Sequence, residues 1–254
     1  MIHLKTPDEL ADMRAAGQVV REILDTARAV AVPGATPADL DAAARDVLAR
    51  RGARSPFLHY RPAPAMPPFP AVLCVSVNDA VLHGIPGSVP FADGDLVSVD
   101  AGATLGGWTG DAAVTFPVGT PRPADIALVR TAEQALAAGI GAAVVGGRIG
   151  DISAAIGAVV RSAGYQVNTD YGGHGIGRTM HEAPAVPNDG RPGRGFRLQP
   201  GLTLAIEPWF LAGGRKAYRT DGDGWTLRST DGSRTVHVEQ TVAVTPDGPV
   251  VLTA

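Results

Sequence analysis

Thiol chemistry is almost absent from this chain: its 254 residues include one cysteine, Cys74. A single cysteine excludes an intrachain disulfide and any multi-cysteine zinc site. Aromatic residues are scarce at 5%, so the core is expected to be mostly Ala, Val, Leu and Ile. Charge of one sign is also lacking. Lys+Arg 22 against Asp+Glu 25 leaves a net charge of −3, which gives no electrostatic reason to expect nucleic acid or an anionic membrane. The most membrane-like run, 126–145, is interrupted by Arg130, Glu133 and Gln134 and reads as a helix packed on a core. The opening MIHLKTPDEL has no apolar segment of the secretory kind, so a cytoplasmic location is expected. What the chain does have is 45% hydrophobic residues, with Gly 32 and Pro 21. That composition and length predict one sizeable globular domain over 1–254.

Thr6-Pro7-Asp8-Glu9 carries an N-cap, a proline at the first helical position and an acid at the third. Leu10, Met13, Ala16, Val20 and Ile23 then recur at helical spacing until Pro33-Gly34. Thr36-Pro37-Ala38-Asp39 repeats the start signal for a second helix, which runs to Arg51 and stops at Gly52. Residues 55–70 hold six prolines and read as a loop. Strands are predicted at 72–77, 80–83, 202–206, 225–229 and 237–245, and helices at about 123–143 and 151–163. At an offset of 112, DLDAAARDVLARRGA and DISAAIGAVVRSAGY share five of fifteen positions. Helix, helix, strands therefore occurs twice, which predicts a duplicated unit with pseudo-repeats of about 6–118 and 121–250.

VSVDAGATLGGWTGDAAVTF, residues 97–116, reads as a hairpin with Asp100 and Asp111 on either side of a glycine turn. A turn centred between Leu105 and Gly106 would set the two carboxylates directly opposite each other on one face. Facing like charges are destabilising, by about 4 kcal/mol at ~4 Å for an effective dielectric near 20. A cation between them would remove the conflict. A one-residue shift of the turn, sending one Asp to solvent, would remove it too.

Other residues with chemistry stand in unusual settings. His83 ends a predicted strand before Gly84, where a ligand can approach, though a surface histidine fits as well. His174 lies among four glycines in GGHGIGRTMHEAP, a segment that also reads as a flexible glycine loop. Its spacing is not GxGxxG, and His181-Glu182 is not HExxH. Glu207 and Glu239 sit in apolar strand-like runs, where a carboxylate is costly to bury unless it is paired or coordinated. Either alone could belong to an edge strand. Four carboxylates with one imidazole suit a pair of divalent ions, whose charges cancel those of the acids.

NDAVLHGIP from Asn78, the two hairpin aspartates, GGHGIGRTMHEAP, AIEP around Glu207, Asp223-Gly-Trp225 and Glu239-Gln-Thr241 together resemble the methionine aminopeptidases. The resemblance covers nearly the whole chain. It implies an α/β (α+β) pita-bread fold, with pseudo-twofold duplicated helix-helix-strand units around a curved antiparallel sheet. It implies two divalent metal ions, Co²⁺, Mn²⁺, Fe²⁺ or Zn²⁺. Asp100 would hold one ion, His174 and Glu207 the other, and Asp111 and Glu239 would bridge both. Glu207 would take the proton of the attacking water and pass it to the leaving amine. His181 would bond the carbonyl oxygen or the tetrahedral intermediate, and His83 would contact the scissile amide. Phe69, Cys74 and Trp225 would line the methionine pocket. The implied activity is removal of the initiator methionine from nascent proteins and peptides in the cytoplasm. The implied partners are a nascent-chain N-terminus and a transient ribosome contact, with a monomeric enzyme, no nucleic-acid specificity and no membrane.

Only 25 residues separate His181 from Glu207, which fits the short, type I form. Prolidase and aminopeptidase P share the five ligands but carry a large additional N-terminal domain. Several positions depart from the family pattern. RPAPAM lies between Tyr60 and Phe69, Met180 stands where Phe is common, and Thr109 and Gln240 stand where His is common. His237 is two residues before Glu239, so on the same strand face. The ligand set is complete and the rim differs. The competing readings are a related aminopeptidase or dipeptidase with altered substrate preference, and a non-catalytic pita-bread binding protein.

Overall fold

The two Thr-Pro signals do close helix ends. Thr6 and Thr36 each accept a backbone N–H three residues on, and Glu9 and Asp39 reach back to them. A capping interaction of this kind is worth about 1 kcal/mol. The computed structural model describes residues 2–213 and 217–254. Helices α1 (Pro7–Val30) and α2 (Pro37–Arg51) lead into strands β1 (Leu73–Val77), β2 (Ala80–Leu82), β3 (Leu96–Leu105) and β4 (Trp108–Pro117). Helices α3 (Pro123–Gly141) and α4 (Ile149–Ser162) follow. Then come β5 (Gly173–Gly175), β6 (Glu182–Val186), β7 (Thr203–Ile206), β8 (Trp209–Leu211) and β9 (Tyr218–Thr220). The last four are β10 (Leu227–Ser229), β11 (Thr235–His237), β12 (Gln240–Thr245) and β13 (Gly248–Val251). Among the described residues every ladder is antiparallel, so the α+β reading of the class applies. No described helix is long and apolar enough to cross a membrane.

Each helix pair covers its own apolar core. Val20, Ile23, Leu40, Val97, Val99 and Phe116 form one under α1 and α2. Leu128, Ile152, Ile156, Leu204, Ile206 and Val242 form the other under α3 and α4. Helix α4 begins two residues before the expected Asp151. Asp151 is not the cap itself: it is the third helical residue, accepting the Arg148 N–H at 2.7 Å.

The hairpin register differs from the expected one. Leu105 pairs with Trp108, so the turn is Gly106-Gly107 alone. Both glycines have positive φ, 58° and 81°, the requirement of a two-residue type I′ loop. Asp100 therefore faces Ala113, and Asp111 faces Gly102. The carboxylates are diagonal neighbours, not direct partners. The register moves by two residues relative to expectation, and with a side-chain period of two both stay on one face. Gly102 has its own reason to lack a side chain: an added Cβ would lie 2.6 Å from Pro56 and 2.9 Å from Phe57.

Two further expectations change. The predicted strand 237–245 is two strands, interrupted at Val238 and Glu239. The glycine-rich segment around His174 is not a flexible loop but strand β5, hydrogen-bonded between β6 and β7. Glycine is needed there because a Cβ on Gly173 would meet the Ala205 carbonyl at 2.2 Å.

Candidate metal centre

One continuous antiparallel register brings the five expected ligands together. Asp100 and Asp111 are diagonal across β3 and β4. An isolated bridge pairs Ala113 with Glu239 and joins the three-stranded sheet to the five-stranded one, so Asp111 is diagonal to Glu239. Ile206 pairs with Gln240 and Trp209 with His237, so Glu207 and Glu239 fall opposite each other in the gap between those ladders. His174 pairs with Ala205, two residues from Glu207. Since alternate residues share a face, Asp100, Asp111, Glu239, Glu207 and His174 project from one side of five strands. Cys74 faces Asp100 across β1 and lies on the same side. The Asp111 backbone is fixed by Thr241, whose hydroxyl accepts the Asp111 N–H at 2.9 Å and donates to its carbonyl at 2.8 Å.

These groups fit a cation site on the structure's own terms. One ligand atom each from Asp111, His174 and Glu239 lies within 4.8 Å of the others. His174 Nε2 is 3.7 Å from Glu207 Oε1. The His174 Nδ1 lies 2.9 Å from the Gly175 carbonyl, to which it can only donate, leaving Nε2 as a lone pair for a metal. Buried Asp100 Oδ1, Asp111 Oδ1 and Glu239 Oε1 have no hydrogen-bond partner. A buried carboxylate oxygen without a partner is costly, and four acids with one imidazole match hard divalent ions.

The acids feel this crowding. Burial lifts Asp100 to about 7, against the opposing charge of His237. Burial, then the facing charges of the other acids, push Asp111 and Glu239 well up. Glu207 differs: burial pushes it up, but the His237 and His174 imidazoles outweigh burial and bring it below its ordinary value. Burial lowers His83 and His181 to about 4 each.

The signs of these shifts predict an unusual stability profile for metal-free protein. A carboxyl with a raised folded pKa destabilises the fold as pH rises through that pKa. The two histidines act oppositely, adding stability between about 4 and their ordinary 6.5. Above 6.5 only the acids remain. Calorimetry in EDTA should show Tm falling by several degrees between about pH 6.5 and 8.5, and excess Mn²⁺ should remove the decline. A flat or rising Tm in EDTA would count against a crowded acid cluster.

All ten residues expected at the site line one cavity of about 520 Å³. Phe69, Cys74 and Trp225 form its apolar part with Phe57 and Met180. His83 holds a left-handed backbone, φ 57°, and its ring meets Tyr171 and Trp225 edge-on. Such a backbone in a non-glycine residue is strained and is typically held at functional sites. His181 stacks edge-on against His174 at 4.4 Å, and its Nδ1 is 2.9 Å from the Tyr60 hydroxyl. The proline-rich segment is part of the wall: Pro62 and Met66 line the cavity, and the Pro67 carbonyl accepts the Trp225 indole N–H at 2.9 Å. Sequence reasoning did not place Phe57, Met66 or Tyr171 there. The excess of apolar residues inside a proline-rich loop was the available signal for the first two. Of the departures noted, Thr109 bonds Thr104 at 3.0 Å, and Gln240 accepts from Thr253.

The Metallopeptidase family M24 model matches residues 11–246. Methionine aminopeptidase 1 of Mycobacterium tuberculosis is 46% identical over 256 residues, covering 98% of this chain and 94% of that one. The methionine aminopeptidase of Clostridium perfringens is 43% identical over 253 residues, covering 100% and 99%. The crystal structure of methionine aminopeptidase from Thermotoga maritima superposes with a TM-score of 0.94 at 40% identity, covering 100% and 99%. Prolidase from Pyrococcus furiosus shares the fold alone: TM-score 0.78, 19% identity, 65% of its length covered. The chain belongs to metallopeptidase family M24 and, within it, to the methionine aminopeptidases.

Proposed function

We propose that this metal-dependent hydrolase removes the initiator methionine from nascent proteins and peptides, with two divalent ions held by Asp100, Asp111, His174, Glu207 and Glu239. The observation that carries the ion pair is the set of three buried, partnerless carboxylate oxygens on one face. Four acids neutralise two such ions. Bound ions supply Lewis-acid polarisation of the substrate carbonyl and a lowered pKa for the attacking water. Asp100 would serve one ion, His174 and Glu207 the other, and Asp111 and Glu239 both. Mn²⁺, Fe²⁺, Co²⁺ and Zn²⁺ all suit the donors.

The chain's own residues do the rest. Glu207, kept ionised by its two imidazole neighbours, takes a proton from the attacking water and delivers it to the leaving amine. Burial raises the Tyr60 pKa, so its hydroxyl stays protonated and can donate to His181 Nδ1. The ring proton then sits on Nε2, free to bond the carbonyl oxygen as charge develops there. His83 is neutral at physiological pH and contacts the scissile amide. The pocket of Phe57, Phe69, Cys74, Met180 and Trp225 accepts an unbranched thioether, with sulfur–aromatic contacts to the rings. Substrates are therefore peptides and nascent chains with N-terminal methionine, met in the cytoplasm by a monomer making at most a transient ribosome contact.

A substrate panel tests this reading. Protein loaded with Mn²⁺, Fe²⁺, Co²⁺ or Zn²⁺ should hydrolyse Met-Ala-Ser and Met-Gly-Met-Met and leave Xaa-Pro dipeptides intact. Cleavage of Xaa-Pro in preference would assign a dipeptidase. Metal-replete protein with no turnover would assign a binding protein.

A further inference from the structure

Beside the five expected ligands lies a buried imidazole that the reaction above uses only as a neighbour of Glu207. His237 is 3% exposed, and its Nε2 has no hydrogen-bond partner. That nitrogen lies 3.5 Å from Glu207 Oε2. The other oxygen, Oε1, lies 3.7 Å from His174 Nε2. Glu207 is thus held between two imidazoles, one at each oxygen.

The imidazoles are not equivalent. His174 Nδ1 spends its proton on the Gly175 carbonyl, so Nε2 has none to give Glu207. His174 and Glu207 Oε1 approach each other as two ligands of one ion would. His237 is outside the tight Asp111, His174 and Glu239 group. Its backbone is pinned: the N–H donates to Thr115 Oγ1 at 3.1 Å, and that hydroxyl donates to the His237 carbonyl at 2.6 Å. With its one proton so used, Thr115 accepts from Ser98 at 2.7 Å. Strand pairing with Trp209 sets the ring diagonally next to Glu207. A pinned, buried ring has little freedom to follow a moving partner.

We propose that His237 is a positioning residue: its Nε2–H donates to Glu207 Oε2 and holds the carboxylate with Oε1 turned to the ion and the attacking water. The inference rests on the aminopeptidase reading. Without the bond, Glu207 can rotate about its terminal torsion and lose its alignment with the ion and the attacking water. Loss of alignment at a reacting group costs on the order of 10²-fold in rate.

Three variants test this, each measured for kcat, KM, Mn²⁺ stoichiometry and electron spin-echo detection of imidazole nitrogen at Mn²⁺. His237→Gln places an N–H at about the reach of Nε2, His237→Asn falls short of it, and His237→Leu has no donor. We expect kcat to fall roughly 30–100-fold in the Leu and Asn variants and to return within about 5-fold of wild type in Gln. KM, metal stoichiometry and the nitrogen signature should not change. If Leu does not fold, the Gln and Asn pair carries the same comparison. A Gln variant as slow as Asn, with one imidazole nitrogen lost from the echo signal, would make His237 a ligand and overturn the proposal. Unchanged kcat in Leu or Asn would make it a packed core histidine and overturn it too. Wild-type turnover of Met-Ala-Ser, run alongside, reports separately on the aminopeptidase reading.

Discussion

Glu239→Gln should abolish peptidase activity while making the metal-free protein more stable. The substitution keeps shape and volume and removes one charge. Glu239 is 2% exposed, one oxygen lacks a partner, and the register sets it opposite Glu207 and diagonal to Asp111. As the proposed ligand shared by both ions, it would have no substitute nearby. Residues that act as one catalytic unit lose nearly everything when one is removed, so turnover of Met-Ala-Ser should fall by at least about 10⁴-fold. In EDTA at pH 8 the sign reverses. Burial and then the charges of Asp111, Glu207 and Asp100 disfavour its ionised form, and the amide relieves that. Stabilisation on the order of 1–3 kcal/mol is expected, a Tm increase of several degrees for a chain of this size. Excess Mn²⁺ should then raise Tm more in wild type than in the variant. A variant retaining a tenth of wild-type turnover, or melting lower than wild type in EDTA, would overturn the bridging assignment.

His181→Ala should come next in size, with a loss of about 10²–10³-fold in kcat and little change in KM, the behaviour of a donor that acts on developing charge. Tyr60→Phe should show a smaller loss of the same kind, because it removes the hydroxyl proposed to set the His181 tautomer and leaves the ring in place. Equal losses in KM and kcat, or a His181→Ala enzyme as fast as wild type, would remove His181 from the carbonyl oxygen. Stopped assays across a range of Met-Ala-Ser concentrations separate these outcomes.

The parts of this molecule legible in its sequence are those governed by local chemistry. Thr6 and Thr36 with their prolines and acids located the starts of two helices to the residue, because capping involves only neighbours in the chain. Glu207 and Glu239 stood out because carboxylates in β-branched runs conflict with burial. The hairpin register was harder. Three consecutive residues, Leu105, Gly106 and Gly107, allow more than one turn centre, and only the positive φ at both glycines fixes it. Asp100 and Asp111 kept a common face because the displacement was an even number of residues. The Val238-Glu239 interruption was not legible, since Glu239 bridges there to Ala113, far away in sequence. Phe57 and Met66 were missed for a related reason: a proline-rich loop gives no periodicity from which a face can be read.

The bridge between Ala113 and Glu239 has a consequence for how the protein is made. Asp100 and Asp111 are ready as soon as one hairpin forms, but Glu239 lies 139 residues beyond Asp100. An unfolded chain offers an ion at best the nearby pair, which is a poor chelator. Only the folded chain offers the full set, so bound ions shift the equilibrium toward the native state by their whole differential affinity. Because the proposed ligands come from beneath both helix pairs, bound ions would also act as a clasp across the seam between the two cores. Chelation should therefore loosen that seam before either core, and amide exchange at Ala113 and Glu239 should accelerate ahead of exchange in α1 or α4.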